Sequence, residues 1–208
     1  MKGLVLYEMY KLKSVYLRNL LMVGVLYAVL TVAMKQEFLL YMLVWMMGFY
    51  AMGSMAMDEG WNRFARALPV SSRQLAGAKF LSTGAMILIG DAYALVMGAA
   101  IRTIIGGDFR EVCLAVIMVS LLAMLLMAVM LPCALKWGVE RARNTMLLVF
   151  AALFGSALLL NGRVSLNGFD SWMDNHILLA VGMLTAVTAA GCVAGWLAMA
   201  KIYEGKED

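Results

Sequence analysis

The chain has 208 residues, of which 64% are apolar and 14% charged, with a formal net charge of +4. A soluble domain sits near half apolar and a quarter charged, so this composition excludes a soluble globular protein and requires an integral membrane one. Six apolar runs approach the length of about 20 residues that a helical span needs: Leu17–Met34, Phe38–Met57, Leu81–Ile101, Val112–Leu135, Met146–Leu160 and Ile177–Ala200. Together they leave no room for a separate soluble domain. Barrel strands would give segments of about ten residues alternating in polarity, and none are present. The expected fold is therefore an all-α membrane protein with six transmembrane helices in one domain.

With both termini inside, only Lys35, Arg102, Arg110 and Arg163 of the 17 basic residues fall in outer loops. That asymmetry sets the orientation by the positive-inside rule. It also accounts for the basic balance without a nucleic-acid partner. Cys113, Cys133 and Cys192 all fall in spans. They cannot form a complete disulfide set and read as small packing residues.

Residues 1–16 are expected as an interfacial helix. Val5, Met9, Leu12 and Tyr16 share one face, and Lys2 and Lys13 beside it can snorkel to headgroups. The plainer reading is the start of the first span, which would serve as an uncleaved insertion signal. The tight turn Lys35-Gln36-Glu37 makes spans one and two an antiparallel hairpin. Tyr41, Trp45, Trp61, Trp137, Trp172 and Trp196 lie at or near span ends, as an aromatic belt does.

The longest polar interval runs from Asp58 to Lys79. Trp61, Phe64, Ala65 and Leu68 recur at helical spacing, giving a short amphipathic helix too charged to span lipid. Asp58 and Glu59 open it, Arg63 and Arg66 lie within it, and Pro69 stops it. Ser71 and Gln74 then stand at capping-box spacing, so a new helix is expected to start there.

Span three carries Asp91. A carboxyl at this depth is expensive and must face a protein interior or a water-filled cavity. It is either a proton or cargo contact, or a carboxyl satisfied by a neighbouring hydroxyl or backbone group. The second inner loop, 136–145, is compact and basic, with Glu140, Arg141 and Arg143. It is either plain positive-inside topology or a second docking contact. The outer loop 161–176 holds His176 near Asp170 and Asp174, a poor metal signature, so no metal site is expected. Gly191 and Gly195 form a GxxxG, which in lipid brings helices close and here argues packing rather than dimerisation. The 20 methionines suit either apolar filler or a surface for varied apolar ligands.

No G-x-x-x-x-G-K-[ST], H-E-x-x-H or G-x-S-x-G occurs. Nucleotide binding by the P-loop route and the familiar hydrolytic constellations are excluded for this chain. Energy for active transport would come from another chain or from an ion gradient.

The run Asp58–Phe80, with Asp58, Trp61, Leu68, Pro69, Val70, Ser71 and Lys79 in place, resembles ABC-2 type transporter permeases. It looks most like the small bacterial permeases of phenol-soluble-modulin exporters. The resemblance covers the whole chain in topology and is specific over Asp58–Phe80. It implies a half-transporter in the bacterial cytoplasmic membrane that pairs with a second permease copy as a homodimer. Each copy would be served by a separate ATPase subunit that holds the ATP and Mg, this chain binding no cofactor and catalysing nothing. The resemblance makes the segment between spans two and three a coupling helix. Asp58, Glu59, Trp61, Arg63, Phe64, Arg66 and Leu68 would meet the ATPase there, with Glu140, Arg141 and Arg143 as a minor contact. Cargo would be hydrophobic or amphipathic, such as peptides, with Asp91 attracting cationic ones. A gradient-driven transporter predicts paired intramembrane charges and broken helices, which a lone Asp91 does not meet. A non-transporting resistance or immunity protein would instead lack any ATPase partner.

Overall fold

The structure, a computed structural model, describes residues 6, 10, 22–33, 41–49, 70–145, 148 and 176–205. We number its helices α1 (Met22–Ala33), α2 (41–49), α3 (Ser72–Ile105), α4 (Phe109–Trp137), α5 (139–145) and α6 (Ile177–Glu204). Among the described residues, α3, α4 and α6 are each long and apolar enough to cross a membrane. The interfacial segment apart from Leu6 and Tyr10, both helical, the segment 50–69, nearly all of the fifth span and the loop 161–175 lie outside the described residues.

Helix α3 starts well before the apolar run Leu81–Ile101. Its 34 residues extend about 50 Å at a rise of 1.5 Å per residue, against about 30 Å of hydrocarbon. Hydropathy marks the part of a helix that lipid touches. The helix itself begins where its first amide groups are satisfied, and Ser71 does that. Helix α4 likewise overruns Val112–Leu135 by a turn at its start, where the Asp108 side chain accepts from the Arg110 N–H at 3.0 Å. The turn between them is Gly106-Gly107-Asp108.

The three long helices pack pairwise. The start of α3 and the ends of α4 and α6 meet in one buried cluster of Leu75, Ala76, Ala78, Leu131, Met199, Ala200 and Tyr203. We call this the capped end and the opposite one the hairpin end. A second cluster, with Val44, Ile87, Ala94, Val112, Val116, Ala123 and Met127, joins α2, α3 and α4. Leu43, Met47 and Met86 form a third, against which Val23 and Tyr27 of α1 pack. Met47, Met127, Met130 and Met199 are buried and serve as filler among the helices.

The crossing of α6 on α4 uses the two glycines of the GxxxG. A Cβ on Gly191 would come 2.7 Å from Leu125 Cδ1, and one on Gly195 would fall on the Ala128 carbonyl oxygen. Pro132 lies inside α4. Having no N–H, it cannot bond the carbonyl four residues back, which is that of Ala128. The backbone of α6 thus comes closest where α4 has a carbonyl without its usual helical donor. A glycine Cα–H against a carbonyl is a weak but favourable contact. The motif is used within the chain, as packing.

Outward, α6 exposes Leu178, Met183, Val187 and Val193, and α3 exposes Leu88 and Val96. In water so much apolar surface would be an aggregation hazard. In a bilayer it is the ordinary lipid-facing side.

Candidate functional site

Two regions answer to the residues that the sequence singles out: the capped end and the middle of the α3–α4 pair.

At the capped end, Ser71 and Gln74 form the expected capping box. The Gln74 N–H donates to Ser71 Oγ at 3.3 Å, and the Ser71 N–H donates to Gln74 Oε1 at 3.3 Å. These bonds satisfy two of the amide groups that a helix start leaves open. They also make the point where the chain leaves segment 58–69 a defined turn. Val70 packs against the buried cluster below it. The expected coupling residues Asp58, Glu59, Trp61, Arg63, Phe64, Arg66 and Leu68 lie outside the described residues. What is described is the platform into which they lead.

The segment read as the second inner loop is mostly helix. Lys136 and Trp137 belong to the last turn of α4, and Lys136 Nζ stands 5.6 Å from the Trp137 ring centroid. Gly138 breaks the helix at φ 89°, a left-handed conformation that glycine adopts without strain. Residues 139–145 then form α5. Hydropathy cannot tell a short charged helix from a loop, and here one buried residue decides. Ala142 is fully buried against Met130 and Ala134, which leaves Glu140, Arg141 and Arg143 exposed. Val139 packs on the cluster that holds Leu75 and Ala76. The fold therefore places α5 beside the start of α3. Arg73, Lys136 and Lys201 are exposed at the same end, so this face is predominantly basic.

Trp196 also joins two helices. Its indole Nε1–H donates to the Arg73 carbonyl oxygen at 3.1 Å, and its ring packs against the capped-end cluster. Sequence reading misses this bond because its partners are far apart in the chain. The same holds for the Pro132–Gly195 crossing, although a proline inside an apolar span is a visible signal for a freed carbonyl.

In the middle of the pair, Asp91 is buried. Ser120 of α4 donates its hydroxyl to Asp91 Oδ2 at 2.8 Å. The neighbouring-hydroxyl reading of this carboxyl is thereby met for one oxygen. Among the described residues, Asp91 Oδ1 is buried without a hydrogen-bond partner. Asp91 is far from the capped end along α3. Nearby, Thr188 of α6 donates to the Leu121 carbonyl oxygen of α4 at 3.3 Å. Polar side chains thus tie α4 to both of its long neighbours. Among the described residues no cluster of His, Cys, Asp and Glu can hold a metal ion. Cys113, Cys133 and Cys192 are free thiols.

Long apolar helices packed pairwise, with charged ends and a buried polar contact between them, define a helical membrane protein. The family model described as "ABC-2 family transporter protein" matches residues 3–204. The chain belongs to that family. No curated protein and no solved structure matches it.

Proposed function

We propose that this chain is the permease half of an ATP-driven exporter, with its capped end facing the cytoplasm. The observation that carries the reading is the family match over nearly the whole chain. The packing supports it, since α5 sits beside the residue where segment 58–69 rejoins the membrane body. In this reading Trp61, Phe64 and Leu68 fill a groove on a separate ATPase subunit. Arg63, Arg66, Arg141 and Arg143 face its acidic side chains, while Asp58, Glu59 and Glu140 complete the polar rim. Aromatic anchors ringed by arginine are what interface hot spots favour. ATP and Mg reside on the partner. A second copy of the chain completes the pathway in the cytoplasmic membrane of a bacterium, and both termini lie inside.

The cargo is hydrophobic or amphipathic, with amphipathic peptides the class proposed. Asp91 offers such a peptide a carboxyl oxygen at mid-membrane, where an unpaired buried acceptor is costly and a cationic group would be welcome.

The test uses the permease co-expressed with a candidate P-loop ATPase subunit. The Trp61→Ala, Phe64→Ala double variant should insert normally and lose the ATPase on size-exclusion chromatography. Full co-elution would remove the docking role. In proteoliposomes loaded with ATP, Asp91→Asn should lower transport of cationic peptides several-fold more than that of neutral ones. An equal effect on both would leave Asp91 structural.

A further inference from the structure

The first turn of α3 and the last third of α6 are joined in three ways. Trp196 Nε1–H bonds the Arg73 carbonyl oxygen. Leu75, Ala76 and Ala78 share a buried cluster with Met199, Ala200 and Tyr203. Phe80 Cζ stands 3.1 Å from where a Cβ on Gly195 would be. The other half of α6 is different, with Leu178, Leu179, Met183 and Val187 all exposed. Helix α6 is therefore tied to α3 at the capped end, while its first half turns these four side chains outward and is held to α4 through Thr188.

The acceptor of the indole bond is a carbonyl in the body of a helix turn. Arg73 follows Ser71 by two residues, inside the capping box. A displacement of Ser71 carries the Arg73 carbonyl with it, because the box and the first helical bonds hold that turn together. We propose that Trp196 is a strap: a positioning residue that passes movement of the first turn of α3 into the inner half of α6. The proposal rests on the exporter reading, which places a motor on the chain just before Ser71.

The experiment uses the full chain bound to its ATPase, with Cys113, Cys133 and Cys192 replaced by Ala. Spin labels are placed in pairs at Arg73→Cys, Lys201→Cys and Arg110→Cys. All three sites are exposed, Arg110 at the hairpin end. Replacing the Arg73 side chain keeps its carbonyl. Trapping with ATP and vanadate should shift the 73–110 and 201–110 distances together and leave 73–201 fixed. In Trp196→Phe, which keeps a ring and removes the donor, the 73–110 shift should persist and the 201–110 shift should be lost. Met199→Leu alters the same cluster without touching the bond, and should keep both shifts.

A 201–110 shift that survives Trp196→Phe overturns the strap. So does a 73–201 distance that changes on trapping in the parent protein, an absence of any shift with the ATPase bound, or an equal loss in Met199→Leu. If no ATPase co-elutes, the exporter reading fails on its own account. The strap is then read from the nucleotide-free 73–201 distribution. That distribution broadens in Trp196→Phe if the bond ties the helices, and an unchanged width overturns it.

Discussion

The two ends of the three-helix bundle are held by different means. At the capped end three helices converge on a buried cluster, with a capping box above it and an indole-to-backbone bond beside it. At the hairpin end α3 and α4 turn back through two glycines. An Arg102–Glu111 ion pair closes at 2.9 Å, its Glu111 side chain 68% exposed. Packing between helices in lipid comes from close contact and satisfied polar groups rather than from excluding water. The bundle concentrates both at the end where the proposed motor would act.

Three substitutions and one control sharpen that contrast. Leu131→Ala opens a hole in the capped-end cluster, where Leu131 is fully buried. It should cost about 2–3 kcal/mol, toward the lower part of the range for buried leucines because lipid supplies little of the usual transfer penalty. Thermal unfolding in detergent should report the largest fall in Tm of the three. Gly195→Ala drives a methyl against the Ala128 carbonyl and should cost about 1–3 kcal/mol by overpacking. Gly182→Ala is its control. Among the described residues, no atom outside its own helix neighbourhood stands within 4 Å of that added Cβ, and alanine should stabilise the helix there by up to about 1 kcal/mol. Equal Tm changes for the two glycines would mean that α6 does not cross α4 where described. Glu111→Gln removes a largely exposed charge pair and should cost less than about 1 kcal/mol. The effect should shrink further as salt is added. A loss as large as that of Leu131→Ala would break the contrast between the two ends.

Local chemistry was readable and distant pairing was not. The Ser71–Gln74 spacing announces the start of α3 because a capping box is complete within four residues. The apolar runs place α3, α4 and α6 within a turn or so, except where a helix continues through polar residues such as Ser72, Arg73 and Gln74. That Asp91 must face the interior follows from the cost of a carboxyl in lipid. That Ser120 meets it does not, since the bond depends on the register of α3 against α4. Trp196 reads as an interfacial aromatic by position, and only the approach of α6 to α3 turns its N–H toward a carbonyl. Ala142 gives no signal within a charged stretch, yet its burial makes α5 a helix. The proposed docking role of Asp58–Leu68 rests on their sequence pattern.

The proline in α4 and the glycine in α6 have a joint consequence for sequence change. A donor restored at Pro132 would rebond the Ala128 carbonyl and weaken the reason for a bare backbone at Gly195. A side chain at Gly195 would in turn push α6 away and leave that carbonyl to lipid. Both positions act on the same carbonyl, so the effects of replacing them together should be non-additive. Drift in this chain is then constrained at the two positions as a unit.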